Sequence, residues 1–230
     1  MAGLRAAQKE MTRRLLLTTA LELFEARGYA GTTVDDIAKA AGTTRVTFYA
    51  YFPSRAALMK ALVAELDELL GRGSPAEPGP AAPALVAVVR AGERAGFEAW
   101  LHDTSRRWPR IGPYVPAAHE AAVVEPELRE LVDQWFDEVA AAVETGLDQA
   151  DRFDPGSRRL RGFLALTQLD QLARRWMRHG WETDPATALG LLADSWQFLL
   201  GEPHDGPAGP PPGGTAPHGG PAGPPPRGTA

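Results

Sequence analysis

Between Thr33 and Leu58 the chain reads TVDDIAKAAGTTRVTFYAYFPSRAAL. Two guanidiniums stand there, Arg45 among the hydroxyls of Thr33, Thr43, Thr44, Thr47, Tyr49 and Tyr51, and Arg55 just after them. These groups donate and accept hydrogen bonds, and no nucleophile and base pair is among them. Their chemistry is recognition, and it depends on the elements that carry them. Val34, Ile37 and Ala38 give one helix an apolar face. Thr33 caps that helix, and Asp36 three residues on completes a capping box. Asp35 and Asp36 sit in its first turn, where the helix dipole favours negative charge. Ala41-Gly42-Thr43 makes a tight turn, with glycine supplying backbone angles that other residues avoid. Thr44 then caps a helix of two turns ending near Tyr51. On it Val46 and Phe48-Tyr49 can reach the core, while Arg45 and Thr47 point elsewhere. Small Ala38 and Ala41 let the two helices cross closely. This is the helix-turn-helix layout, whose second helix enters the major groove of DNA.

The elements on either side fit that layout. A first helix from about Gln8 to Arg27 carries Leu16, Ala20, Leu23 and Phe24 at helical spacing, and Gly28 closes it. Pro53 interrupts the pattern after Tyr51. Ser54 caps a fourth helix bearing Leu58, Leu62, Leu66, Leu69 and Leu70.

The stretch resembles the N-terminal domain of the TetR family. The elements that carry the resemblance are Thr33, Ile37-Ala38, Ala41-Gly42, Thr44, Phe48-Tyr49, Tyr51-Phe52 and Ser54-Arg55, with Ala20, Leu23-Phe24 and Gly28-Tyr29 before them. The chain departs from the pattern at Val46, where glycine is frequent, at Thr43, where an apolar residue is frequent, and at Arg55, where lysine is usual. The resemblance implies a role for each residue. Arg45 and Thr47 face base edges, arginine pairing with guanine and threonine with a base or a thymine methyl. Thr43, Thr44, Tyr49 and Tyr51 hold phosphates. Thr33 and Arg55 do so from the starts of their helices. Phe48 and Phe52 belong to the core.

Composition fits a protein with one basic end. The 230-residue chain has a net charge of -5, yet residues 1–60 hold nine Lys or Arg against five Asp or Glu. That asymmetry is expected when only one end meets phosphate. With 44% hydrophobic residues the chain can bury a sizeable core. It has no cysteine, so disulfides, thiolate metal sites and cysteine nucleophiles are excluded. No segment reaches the ~18 apolar residues of a membrane span, and Leu15-Leu16-Leu17 is followed at once by Glu22 and Glu25, unlike a signal peptide. The expected location is the cytoplasm. His119-Glu120 and His102-Asp103 lack a second histidine at helical spacing, so no metal or other cofactor is expected. Phosphate-binding glycine motifs and a Ser-His-Asp set are also missing, which speaks against an enzyme.

The expected architecture is all-α, with roughly nine helices and no convincing strand. The division reads as a DNA-binding domain over residues 1–55, a helical effector-binding and dimerisation domain over 56–201, and a disordered tail over 202–230. Gly71 to Pro83 reads as a loop or linker. The later helical segments fall near 84–107, 113–123, 126–150, 156–180 and 185–201, with prolines at or near their boundaries. The tail holds two near-copies, GPAGPPPGGTA and GPAGPPPRGTA, which cannot bury apolar surface and read as a linker-like extension.

The last two long helices each carry more than one apolar stripe. Leu160, Phe163 and Leu164 form one and Leu169, Leu172 and Trp176 another. Leu189, Leu192, Trp196 and Leu199 form a third, with Leu191 and Phe198 round the side. A surface helix needs one stripe, so the extra ones point to a homodimer through residues about 156–201. An internal hairpin is the weaker alternative. Phe97, Trp100, Trp108, Tyr114, His119, Trp135, Phe163 and Gln168 are available to line a pocket for a small hydrophobic effector, although core packing also explains each of them. The expected function is a sequence-specific transcriptional regulator, a repressor that leaves a palindromic operator when its effector binds. The alternative is a helical interaction module that binds no DNA.

Overall fold

The computed structural model describes residues 2–71 and 81–202. Eleven helices and no strand occur among them. The first four are α1 (Ala2–Arg27), α2 (Val34–Ala40), α3 (Arg45–Tyr51) and α4 (Arg55–Leu70). Then come α5 (Ala81–Ala91), α6 (Arg94–Ser105), α7 (Trp108–Ile111) and α8 (Tyr114–Val124). The last three helices of the described residues are α9 (Pro126–Gln149), α10 (Pro155–His179) and α11 (Pro185–Leu200). Proline opens the last three, where its missing N–H costs nothing.

One expected element divides. The segment read as a single helix over 84–107 is broken at Gly92, whose φ of +68° is left-handed. The apolar pattern continues across the break, which is why periodicity alone does not reveal it. A further short helix, α7, follows. Part of the expected linker, residues 72–80, lies outside the described residues, as does the repeated tail from 203 onward.

Two apolar cores organise the helices. The first gathers Leu16, Leu17, Ala20 and Phe24 of α1, Ile37, Phe48, and Leu58, Met59 and Leu62 of α4. It also takes in Ala117, Ala118 and Ala121 of α8, whose small side chains let that helix lie close against α1 and α4. The second core contains Leu66, Leu85, Val89, Phe97, Leu101, Val143, Leu147, Leu189 and Trp196. Residue 55 is the first residue of α4, and α4 contributes to both cores. Burial of this kind contributes roughly 1.5–3 kcal/mol per large side chain.

Arg152 ties the second core at one end. Its guanidinium is buried and donates to the carbonyls of Val89 at 2.8 Å and Leu200 at 2.7 Å, and also to that of Arg90. It therefore satisfies carbonyls at the ends of α5 and α11 that no helical N–H can reach. Burial lowers its pKa, with Glu202 acting in the opposite sense. Arg158 braces the same turn, donating to the carbonyl of Arg152 at 2.8 Å and to the Asp148 carboxylate at 2.7 Å. No helix among the described residues is long and apolar enough to cross a membrane.

Candidate nucleic-acid interface

The turn between α2 and α3 is closed by its own backbone. Gly42 N–H donates to Lys39 O at 3.1 Å and Thr43 N–H to Ala38 O at 2.9 Å, with Gly42 at a φ of +64°. A β-carbon is disfavoured at that angle, so glycine there fixes the relation of the two helices. Thr33 caps α2 as its spacing predicts. Its hydroxyl accepts from Asp36 N–H at 3.2 Å, and its own N–H donates to the Asp36 carboxylate at 2.9 Å. The Thr33 hydroxyl and then its N–H hold the Asp36 carboxyl below the usual carboxylate range.

Thr44 caps α3 by accepting from Thr47 N–H at 3.1 Å, and the two threonine hydroxyls lie 2.9 Å apart. Arg45 projects from the same exposed face. Its guanidinium donates to Asp35 of α2 at 3.2 Å and to the Tyr49 hydroxyl at 3.5 Å. It also lies 5.6 Å from the centre of the Tyr49 ring. Thr44, Arg45 and Tyr49 thus form one exposed patch with half-buried Thr47 beside them, and Asp35 holds it from the neighbouring helix. Thr33 stands separately at the start of α2. Thr43 is half-buried in the turn, with its N–H already used. Tyr51 is half-buried and packs against the first core.

Three expectations are corrected here. Val46 is 80% exposed and Tyr49 44% exposed, so Phe48 alone of the three reaches the core. Arg55 does not stand free at the start of α4. Its guanidinium donates to Tyr29 O at 2.8 Å and Thr32 O at 2.5 Å, and lies 3.6 Å from Glu125. It also stacks 4.0 Å from the centre of the Tyr29 ring. These inward bonds take up Nη1, and Glu125 lies beside Nη2.

Tyr29 belongs to the same network. Its N–H donates to Glu120 at 2.8 Å and its hydroxyl to Glu125 at 3.0 Å. The hydroxyl pKa is pushed up to about 12, chiefly by burial, with Arg55 lowering it and the bond to Glu125 adding to the rise. The network joins the α1–α2 loop and the start of α4 to the end of α8. Its members are far apart in sequence, and no local spacing announces them. Asp35 is the one residue of the patch whose role spacing gave only as a dipole partner.

A half-open cleft of about 220 Å³ lies beside the second core. Leu70, Leu85, Trp100, Val139, Leu166 and Leu169 form its apolar wall, and Thr104, Arg107 and Glu138 supply polar groups. Of the expected pocket residues only Trp100 lines it. Phe97 is wholly buried against Trp196, and Trp108 packs with Trp176 and Trp181. Tyr114 donates to Glu65 at 3.4 Å and Trp135 packs between the cores. His119 lies 3.4 Å from Asp170. Phe163 is 48% exposed beside Phe136 of α9, and Gln168 is exposed and bonded to Ser195 of α11, so neither lines the cleft. Aromatic type alone does not separate a cavity wall from a packed core or an outer face.

An all-helical chain with a helix-turn-helix at one end and a cavity-bearing bundle at the other has the architecture of a DNA-binding regulator. The comparisons agree. Residues 16–62 match the model for bacterial regulatory proteins of the tetR family. The regulator TcmR of Streptomyces glaucescens is 31% identical over 162 residues, covering 66% of this chain and 69% of TcmR. EthR of Mycolicibacterium smegmatis is 33% identical over 135 residues, covering 56% of this chain and 57% of EthR. The chain therefore spans little more than half of EthR. Among solved structures, NalD of Pseudomonas aeruginosa superposes with a TM-score of 0.63 at 18% identity, covering 85% of this chain and 98% of NalD. The chain belongs to the TetR family of bacterial regulatory proteins, which are DNA-binding transcriptional regulators and not enzymes.

Proposed function

We propose that the protein is a dimeric repressor that reads a palindromic operator with α3 and leaves it when a small hydrophobic effector enters the second core. The observation that carries this reading is the exposed patch of Thr44, Arg45 and Tyr49 with half-buried Thr47 beside it, and with Arg45 held in place by Asp35. Arg45 and Thr47 read base edges. Thr44 and Tyr49 hold phosphates, with Thr33, Thr43 and Tyr51 beside them. Arg55 positions the α1–α2 loop through its carbonyl bonds and does not clamp a phosphate. Residues 1–55 form the DNA-binding unit and 56–201 the effector and dimer unit.

The cavity beside Trp100 is the effector site. Its volume lies below the ~300–1,000 Å³ usual for ligand sites, so it suits a small ligand or widens on binding. α4, α5, α6, α9 and α10 wall it, α9 packs on α8, and α8 packs on α1 and α4. Ligand binding shifts the population towards a spacing of the two recognition helices that misses successive major grooves, ~34–36 Å apart.

The test is selection from random duplexes at stated salt, with the wild type and Arg45→Ala. A palindromic site recovered by the first and lost by the second supports the reading. No enriched site with the wild type overturns it in favour of an interaction module that binds no DNA.

A further inference from the structure

α1 runs well past the core it serves. Its buried face is Leu16, Leu17, Ala20 and Phe24. Counted back towards the N-terminus in steps of three and four, the same face continues through Arg13, Lys9 and Arg5. The face that is apolar against α2 and α4 becomes basic where the helix leaves them. Arg5 and Lys9 are exposed and Arg13 is half-buried. Among the described residues no carboxylate pairs with any of the three, whereas neighbouring Arg14 is paired to Glu10 at 3.3 Å.

The direction of this row is fixed at one end. The Arg13 guanidinium lies 5.6 Å from the centre of the Phe52 ring, and Phe52 is the C-cap of α3. The row therefore starts beside the end of the recognition helix and runs outward from it. At ~1.5 Å per residue, Arg5 stands about 12 Å further along the axis than Arg13. A row with Arg5 and Lys9 exposed, Arg13 beside Phe52, and no carboxylate paired to any of the three among the described residues is suited to a polyanion.

We infer that Arg5, Lys9 and Arg13 form a second DNA contact, a row of cations that grips backbone phosphates flanking the bases read by α3. It rests on the regulator reading and adds a contact outside the helix-turn-helix. Its contribution is affinity without sequence preference, because phosphates carry no base identity.

The experiment uses the full chain and the double variant Arg5→Gln/Lys9→Gln on a duplex recovered by selection. Binding is followed across a range of KCl together with hydroxyl-radical footprinting. Glutamine keeps helix propensity at exposed sites, and Lys9→Met, similar in length and uncharged, is the second variant. The expected result is a salt slope shallower by about 0.9 for each cation removed, so by about 1.8 per protomer for the double variant. Protection disappears at the flanks alone and the preferred site is unchanged. An unchanged slope and footprint overturns the inference while leaving the regulator reading intact. Failure of the wild type to select any duplex overturns both. Leu4, Met11 and Leu15 are exposed on another face of the helix, so vesicles of phosphatidylglycerol are the control. Vesicle binding that disappears in the variants, with DNA binding unaltered, assigns the row to a membrane surface and overturns the inference.

Discussion

At the residue scale the proposed recognition patch is set before DNA arrives. A free arginine side chain loses ~2 kcal/mol of rotamer freedom when it is fixed, and Arg45 is already directed by Asp35 and Tyr49. The ion pair itself is exposed and adds little stability. Its value lies in direction. Arg45→Ala is expected to weaken operator binding by ~1–3 kcal/mol, roughly 5- to 150-fold, with the melting temperature unchanged. Anisotropy titration against the selected site and a thermal melt check both halves. Asp35→Asn removes a negative charge from the DNA-facing surface and releases Arg45. Binding to unrelated duplexes should strengthen while the ratio of specific to unrelated binding falls. An unchanged ratio would mean that Asp35 does not orient Arg45. Tyr29 gives the pH prediction. Its hydroxyl pKa is raised from 10.0 to about 12 in the folded chain, chiefly by burial. The folded state therefore favours the protonated form. Its contribution to stability is whole below pH 10 and is lost as pH rises towards 12. Tyr29→Phe should be less stable at neutral pH through loss of the bond to Glu125, and less sensitive to alkali. Ultraviolet titration of the tyrosinates should show the last-ionising group missing in that variant.

At the element scale, what was legible in the sequence is what is local. The caps Thr33, Thr44 and Ser54, the turn at Gly42 and the prolines opening α9, α10 and α11 depend on neighbours a few residues away, and the structure places each where its spacing indicates. The break at Gly92 was not legible, because a single glycine within a helical pattern is compatible with continuation. Nor was the inward turn of Arg55, whose partners Tyr29, Thr32 and Glu125 come from other segments. The same limit hid Arg152. Its three carbonyl acceptors lie 62, 63 and 48 residues away. Hydrogen bonds to a charged group contribute ~1.5–3 kcal/mol each, and their removal leaves buried carbonyls unpaired. Arg152→Ala is therefore expected to cost ~3 kcal/mol or more, read as a lower urea midpoint. Arg152→Lys should recover only part of the loss, since an ammonium cannot reproduce the planar fork that reaches all three carbonyls. Full recovery by lysine would show that charge, and not the fork, holds α5 to α11.

At the scale of the whole molecule the apolar stripes of α10 and α11 divide as a dimer requires. Leu169, Leu189, Leu192 and Trp196 are buried within the chain. Leu160, Phe163 and Leu164 are 60%, 48% and 44% exposed, and Leu191 and Phe198 are 66% and 82% exposed. Several large apolar side chains on adjoining helices are costly to leave in water. A two-fold axis through this face would pair α10 and α11 with their copies, as an isologous interface must. It would also link two recognition helices, so that the second half-site is met at a high effective concentration, a gain of ~10²–10⁴ in affinity. Phe198→Glu combined with Leu164→Glu places two charges on the face and removes nothing from either core. Sedimentation should give a dimer for the wild type and a monomer for the variant, with equal helical content by circular dichroism. Binding to the palindrome should fall in the variant by about the linkage factor, while the weak affinity of one protomer for one half-site survives. A variant that still sediments as a dimer would move the interface elsewhere. A monomeric variant with undiminished palindrome binding would instead detach DNA reading from dimerisation.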